Sequence, residues 1–359
     1  MFYYYYLMLL IVIFFISEIN ASIKKQIFVF IIISLFIISG FRVGVKPDYF
    51  NYEYFYNLVA SGYDYAQYGL YGIEDSFLII SDFFSMFDYG FRYTMILYSL
   101  LTLIFIGLSY PKLTREPLLA LIIYYSFFFI IRDMGVIRAG LSYSILVFSL
   151  VFLFEKRIFC FLFFVLFASI FHKSAMIFTV LTIFIFYKPK INALFLMLLV
   201  SIIFYFSGAA LLIIEKLSYG AGYIAGKFQD YGKESELNYS LGFLDINNVK
   251  NIALSLMGIY IIKSKVFEDY KFDFLLLIFL IGTCVRIVFL DFSSIAGRLS
   301  SIFLSVEPLY LSMMVGALPD RKLKYLGYIV VLFYCFGILY LGIDKYETFE
   351  YKTVFGELF

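Results

Sequence analysis

The fold is decided by the stretch IRDMGVIRAGLSYSILVFSLVFLFEKRIFCFLFFVLFASIFHKSA (131–175). Two apolar runs, 139–154 and 158–171, follow each other across a short charged turn (155–157). Runs that are apolar on every side form helices in lipid, because a helix satisfies its own backbone hydrogen bonds. We therefore expect a pair of membrane helices here.

Ionisable residues mark both ends of this stretch. Arg132, Asp133 and Arg138 precede the first run, and His172, the only histidine of the chain, follows the second. An unpaired charge at membrane depth is costly, so ionisable residues there are functional candidates. Gly135 is expected to loosen the helix between the two arginines, so that both can face one cavity.

The composition describes a polytopic membrane protein. Hydrophobic residues make up 63% of the 359-residue chain and charged residues only 15%, well below the charged fraction of a soluble domain. The first apolar run lacks a basic start, so we expect a span there and not a cleaved signal peptide. We predict an all-α transmembrane helical bundle of about 12 spans in a single domain (1–359), over the apolar runs at about 2–17, 26–40, 93–109, 117–131, 139–154, 158–171, 174–187, 191–207, 249–263, 273–290, 299–316 and 325–343.

The basic residues indicate the orientation of these spans. Half of the 28 Lys and Arg residues fall in six short loops that alternate with the other connections, and the positive-inside rule places such loops in the cytoplasm. Both termini and the ends of the 131–175 stretch then lie outside. A single span over 158–187 would reverse every later loop, so two spans meeting near His172 are favoured, although both arrangements stay open.

Two external loops are long in this topology. Loop 41–92 is rich in Tyr, Asp, Glu and Gly, and its aromatic spacing from Tyr52 to Val59 predicts a helix lying on the membrane surface. Loop 208–249 combines glycines with the mixed-charge run KFQDYGKESELN (227–238), which is typical of a mobile flap. The cytoplasmic loops are short and contain no Gly-x-x-x-x-Gly-Lys motif, so a nucleotide site is not expected.

Cationic residues gather at the predicted outer face. A guanidinium grips phosphate with a planar fork of donors, and a lipid-linked diphosphate would present its phosphates at this depth. Simpler interpretations stay open: Arg42 snorkels to headgroups, and Arg132 and Asp133 pair with each other. The candidate diphosphate ligands are Arg42, Arg132, Arg138, Arg286, Arg298 and Lys173.

Acid–base candidates lie on the same face. Sugar transfer needs a carboxylate or histidine to deprotonate the attacking hydroxyl and cations to stabilise the departing diphosphate. His172 can also be a hydrogen-bonded helix terminus, and a lone histidine and three isolated cysteines do not indicate a metal site. Glu307 and Arg298 lie about 13 Å apart along a helix axis and cannot pair directly, so Glu307 either pairs elsewhere or is neutral. The candidates for the base are His172, Asp48, Glu74 and Asp133.

The order of these motifs along the chain resembles that in the EpsG-like branch of Wzy-type polysaccharide polymerases. The resemblance consists of Arg42 six residues before Asp48 with aromatics after it, Glu74 before an apolar stretch, Arg138 opening a helix 34 residues before the histidine of Phe-His-Lys-Ser-Ala (171–175), and Gly-Arg-Leu (297–299) opening a late span. No single motif is specific, and the ordered set carries the likeness. The chain departs from the family pattern in having Ile137 before Arg138, where Arg-Gln is usual.

The resemblance implies a GT-C-like membrane glycosyltransferase that needs no cofactor. It would join undecaprenyl-diphosphate-linked oligosaccharide repeat units, as donor and acceptor, into O-antigen, capsule or exopolysaccharide. Its site would lie on the outer face of the cytoplasmic (inner) membrane, with the lipid bilayer and a chain-length regulator protein as candidate partners and no nucleic acid.

Three other functions are compatible with a polytopic bundle. A lipid-linked oligosaccharide flippase should carry its charges deep in the bundle, whereas here they crowd the outer edge. An O-antigen ligase would use the same chemistry on a different acceptor, and sequence separates it poorly from a polymerase. A membrane acyltransferase is disfavoured because His172 lacks an Asp in a local motif. The sugars, the linkage and the stereochemical outcome stay open.

Overall fold

The computed structural model describes residues 1–45, 48–63, 73–186, 190–218, 239–265, 268–344, 351–354 and 356. Helices make up about four-fifths of this part of the chain. In chain order they are α1 (Phe2–Ile19), α2 (Lys24–Gly40), α3 (Tyr49–Ala60), α4 (Asp75–Ser85), α5 (Gly90–Leu113), α6 (Pro117–Tyr124), α7 (Ile137–Phe154), α8 (Ile158–Phe171), α9 (Ile183–Phe186), α10 (Ile191–Phe206), α11 (Ala209–Ser218), α12 (Ile246–Ser264), α13 (Tyr270–Val288), α14 (Ser293–Leu304), α15 (Glu307–Gly316) and α16 (Arg321–Asp344).

The chain divides into two compact units. The first comprises Met1–Thr179 and Leu311–Phe359, and the second comprises Val180–Tyr310. In the first unit α7 lies at the centre and packs against α5 and α8. About 78% of this helix is buried inside the protein. In the second unit α13 packs against α10, α12 and α14. The predicted single domain and the bounds of the two external loops stay predictions.

In the described part of the chain, five helices are long and apolar enough to cross a membrane, which makes the chain a multi-pass helical membrane protein. They are α1, α2 with its preceding turn, α5, α7 and α16, and a sixth span results if the bent pair α14 and α15 is counted as one. The predicted number of about 12 spans is not confirmed. Apolar runs define composition but not helix continuity, and the helices at Ile158–Phe171, Lys173–Phe186 and Ile191–Phe206 are shorter than a full span.

The first predicted external loop contains two helices, α3 and α4, in its described part. The helix predicted from aromatic spacing is present as Tyr49–Ala60. Its aromatic face packs against protein: the Tyr52 ring lies 5.2 Å from Phe77 of α4 and the Tyr56 ring 5.5 Å from Phe91 of α5. Residues 64–72 of this loop and the run 227–238 of the second loop lie outside the described residues.

The helix breaks between Arg132 and Arg138, as the sequence predicts. The chain follows a π-helix over Tyr125–Asp133, in which the Met134 N–H donates to Phe129 O at 3.0 Å and the Val136 N–H to Ile131 O at 3.0 Å. These widened turns end at Gly135, and α7 then begins at Ile137. Two separately directed segments thus carry the two arginines.

Candidate functional site

Glu74 is the centre of a buried charge cluster in the first unit. It precedes α4 in extended backbone, with φ −75° and ψ 141°, and is only 7% exposed. Its carboxylate forms an ion pair with the Arg138 guanidinium, and its Oε1 lies 3.0 Å from Nδ1 of His172. The structure therefore brings three of the predicted site residues into direct contact.

Arg138 reaches this cluster because α7 begins directly after the break. Its guanidinium lies over the Tyr52 ring, 5.6 Å from the ring centroid, so Glu74 and an aromatic face both contact the cation. Burial raises the pKa of the Tyr52 hydroxyl, and the neighbouring Arg138 charge opposes that rise. Tyr52 is therefore neutral at physiological pH, and the face of its buried ring packs against the Arg138 guanidinium.

His172 is positioned by the end of α8. The helix stops at Phe171, and His172 is extended, with φ −155° and ψ 106°. Two hydroxyls satisfy carbonyls in this last turn: Ser76 Oγ donates to Ile170 O at 2.7 Å and Ser142 Oγ to Ala168 O at 2.9 Å. A ten-residue 3₁₀ helix (Lys173–Thr182) follows, so residues 158–186 are not one continuous α-helix; that they form two spans stays a prediction.

The contact with Glu74 selects a tautomer of the histidine. In a neutral ring whose Nδ1–H donates to a carboxylate, Nε2 carries the lone pair. The His172 side chain is 22% exposed, against 9% for Glu74. Among the three clustered groups, the imidazole is thus the one that combines a basic nitrogen with access from outside.

A second cluster lies beside the first and contains Asp133 and Arg132. Asp133 Oδ2 accepts a hydrogen bond from Tyr124 Oη at 2.6 Å. The Arg132 guanidinium lies between the rings of Phe128 and Tyr143, 4.4 and 4.5 Å from their centroids. Tyr143 also contacts the His172 ring edge-on at 5.9 Å, so it joins the two clusters.

Arg42 is the most buried of the predicted cationic ligands. It is 3% exposed and donates from Nη1 to Ser39 O, whereas Nε and Nη2 have no hydrogen-bond partner among the described residues. Burial lowers the pKa of the guanidinium to about 10, and the Asp133 carboxylate opposes that fall. Arg42 is therefore charged at neutral pH, and it is not a residue that snorkels to lipid headgroups.

Asp48 and Lys173 lie at the edges of these clusters. Asp48 is half-buried at the start of α3, where its backbone oxygen accepts from Tyr52 N at 3.0 Å. Lys173 is exposed next to His172. Neither the acid–base role of Asp48 nor the ligand role of Lys173 is tested by these positions, and both stay predictions.

Arg286 and Arg298 belong to the second unit. Arg286 donates from Nε to Asn248 Oδ1 at 2.7 Å and from Nη2 to Asp245 Oδ1 at 3.0 Å, so it joins the end of α13 to the start of α12. Arg298 is exposed on α14. Their proposed contacts with a diphosphate remain predictions.

Glu307 in the second unit pairs away from Arg298, which is one of the two alternatives that the sequence left open. Lys250 Nζ lies 2.8 Å from Glu307 Oε2. In the described part of the chain no three metal-binding side chains come together.

The tyrosines of the site were missed as functional positions. Tyr124 and Tyr143 lie inside apolar runs, and their one available sequence signal is a polar tip that needs a partner when buried. Gly140 carries a further signal that only the structure explains. A Cβ there would lie 3.2 Å from Asp133 Oδ1 and 3.3 Å from Arg132 Cβ, so its small size allows α7 to pack against the break.

Known proteins similar to this chain identify its family. None of the solved structures matches the chain. Amylovoran biosynthesis protein AmsC of Erwinia amylovora is 24% identical over 258 residues, which cover 71% of this chain and 68% of that protein. The family model described as EpsG family matches residues 25–353. Because this match covers most of the chain, the protein belongs to the EpsG family.

Proposed function

We propose that the protein is an integral-membrane glycosyltransferase that polymerises lipid-diphosphate-linked oligosaccharide repeat units. The observation that carries this proposal is the buried Glu74 carboxylate held between Arg138 and His172. Together these residues supply a base, a group that orients it and a cation, which are the groups that glycosyl transfer from a diphosphate requires. The likeness to a protein named for amylovoran biosynthesis supports a polysaccharide product.

In the proposed reaction His172 acts as the general base. Nε2 removes the proton from a hydroxyl of the acceptor sugar, and that oxygen attacks the anomeric carbon of the donor. The bond between the anomeric carbon and the phosphate oxygen breaks, and its electron pair leaves with the lipid diphosphate. Glu74 stabilises the imidazolium that forms, as a carboxylate does for a catalytic histidine.

The shared carboxylate also couples the base to the cation. Before proton transfer Glu74 balances the charge of Arg138. Once His172 is protonated, the single negative charge of Glu74 is shared between the imidazolium and Arg138. Less of the Arg138 charge is then neutralised, and it interacts more strongly with the departing diphosphate. This arrangement places positive charge at the site when negative charge develops on the leaving group. Arg42, Arg132 and Lys173 are proposed as further diphosphate ligands, and Asp48 and Asp133 as alternative bases.

The substrates proposed are undecaprenyl-diphosphate-linked units, one as donor and one as acceptor, on the outer face of the inner membrane. A chain-length regulator protein is a proposed partner. The product would be O-antigen, capsule or exopolysaccharide. Arg286 and Arg298 of the second unit are also proposed as diphosphate ligands.

The test is chain growth from purified components. The protein in lipid vesicles receives lipid-linked repeat units without nucleotide, and the products are separated by length. A polymerase produces a ladder of multiples together with free lipid diphosphate. Transport of intact units without a ladder indicates a flippase, and transfer of single units only to a core acceptor indicates a ligase; either result contradicts the proposal.

A further inference from the structure

The 351–354 segment packs against the chain around Arg42. Thr353 forms an isolated antiparallel bridge with Arg42. The Val43 N–H donates to Lys352 O at 2.9 Å, and the Val354 N–H donates to Phe41 O at 3.1 Å. These two hydrogen bonds flank Arg42, so the segment is attached on both sides of it.

Tyr351 fastens the same segment to two helices. Its ring stacks on Phe2 of α1 at 4.3 Å, with the ring planes 9° apart. Its hydroxyl donates to Ile38 O in the last turn of α2 at 3.2 Å. Among the described residues the attachment thus includes two backbone hydrogen bonds, one hydroxyl hydrogen bond and ring contacts with Phe2 and Tyr3. An isolated pairing of this size has little stability of its own.

The group beneath this attachment is a cation with unused donors. Arg42 is 3% exposed, yet Nε and Nη2 have no hydrogen-bond partner among the described residues. A buried guanidinium with unsatisfied N–H groups is costly, because the hydrogen bonds these groups would make with water are not replaced, even where a nearby carboxylate such as Asp133 offsets part of the desolvation of the charge. Two adjacent N–H-bearing nitrogens of one guanidinium match two oxygens of a phosphate in a bidentate contact.

We propose that the 351–354 segment is a releasable cover over an oxyanion site formed by the Arg42 guanidinium, which takes a phosphate or diphosphate group. When the two backbone hydrogen bonds open, an oxyanion reaches Nε and Nη2 of Arg42. When these bonds form again, the segment excludes water from the contact between Arg42 and the oxyanion. The inference rests on the proposed function only for the source of the anion, which is either the lipid-linked substrate or a free diphosphate.

Val354 offers a matched pair of variants. Val354→Pro removes the N–H that donates to Phe41 O, whereas Val354→Ala shortens the side chain and keeps that N–H. Both are made in the full chain in lipid vesicles and treated with phenylglyoxal, and modification of each arginine is followed by peptide mass spectrometry. Exposed Arg92 serves as the reference for reagent access, and Arg132, which is 8% exposed, reports whether the core stays folded.

We expect Arg42 to react about fivefold to tenfold faster in Val354→Pro than in Val354→Ala, the factor that corresponds to one net hydrogen bond. Arg92 should react equally in both, and Arg132 should stay protected. Equal rates at Arg42 in the two variants would overturn the cover. If Arg132 also becomes reactive in Val354→Pro, Tyr351→Phe decides, since it loses only the bond to Ile38 O: a faster rate at Arg42 supports the cover and an unchanged rate contradicts it.

The oxyanion is tested on the same variants. Inorganic diphosphate and a polyprenyl diphosphate are each added to Val354→Pro before phenylglyoxal. Protection of Arg42, but not Arg92, by both probes indicates a site for the free anion, and protection by the polyprenyl compound alone indicates the lipid-linked source. Lack of protection by either contradicts the oxyanion site. None of these measurements needs glycosyl transfer, so a protein that fails to polymerise still reports on the cover.

Discussion

Nδ1 of His172 lies 3.0 Å from Oε1 of Glu74, although 98 residues separate them in the chain. His172 directly follows α8 and Glu74 directly precedes α4, so each residue caps a helix end where the backbone becomes extended. The contact fixes the ring and presents Nε2 as the basic nitrogen. In the candidate site the carboxylate of Glu74 is therefore buried, and the imidazole of His172 lies on its accessible side.

Replacing the imidazole should stop transfer while leaving the fold intact. In His172→Asn the side-chain amide can still donate to Glu74, but no basic nitrogen remains. We expect the rate of chain extension to fall by about 10²–10⁴-fold, the usual contribution of a general base. The rate is measured as ladder growth from lipid-linked units in vesicles. Ser169→Ala, at a half-buried position near the end of α8, should retain the wild-type rate, and a similar loss in both variants would contradict the role of His172.

The Glu74–Arg138 pair should behave as a buried pair in stability measurements. Glu74→Ala leaves Arg138 without its carboxylate, and removal of one partner of a buried pair costs about 3–5 kcal/mol; the 18% exposure of the Arg138 side chain reduces this figure. Replacing both residues, in Glu74→Gln with Arg138→Met, should recover most of the lost thermal stability in detergent. Activity should stay absent in the double variant, because it lacks both the carboxylate and the cation. If the pair had only a structural role, activity would return together with thermal stability.

Much of this site could be predicted from the sequence, but its contacts could not. The break at Gly135 and the end of a helix at His172 follow from local chemistry, and the structure confirms them. The meeting of Glu74 with Arg138 and His172 depends on the packing of three segments, which no local pattern encodes. The attachment of 351–354 beside Arg42 escapes prediction for the same reason, since an isolated bridge has no periodic signature.

The role of Arg138 can be separated from that of a purely structural cation. Arg138→Ala should abolish chain lengthening while single repeat units still form on the lipid, because the diphosphate loses a stabilising charge. Arg138→Lys keeps the charge and loses the planar fork, so we expect partial activity with a raised KM for the lipid-linked substrate. Polysaccharide length on gels from a complemented deletion strain measures both. Absence of all surface units in Arg138→Ala would instead indicate a transport function.

Arg286 provides a contrast between a ligand and a structural link. Its bonds to Asp245 and Asn248 predict that Arg286→Ala lowers stability, with a coupling to Asp245→Ala of about 1.5–3 kcal/mol, the worth of a charged hydrogen bond. A double-mutant cycle on thermal unfolding measures this coupling. Arg298→Ala is the companion variant, since Arg298 is exposed and its loss should affect chain lengthening more than stability. A negligible coupling at Arg286 would free that residue for the predicted contact with diphosphate.

Close packing in the second unit depends on Gly258. A Cβ at this position of α12 would lie 2.1 Å from Tyr310 Oη and 2.8 Å from Leu276 Cδ1, so Gly258→Ala should destabilise the unit by about 1–3 kcal/mol through overpacking. Tyr310→Phe removes the hydroxyl that makes the shorter contact, together with its 2.8 Å bond to Leu254 O. The double variant Gly258→Ala with Tyr310→Phe should therefore be less destabilised than the sum of the two single changes. If the losses of stability in the two single variants simply add in the double variant, the two substitutions do not interact. That result would mean that α12 moves away from Tyr310 and does not keep its close approach.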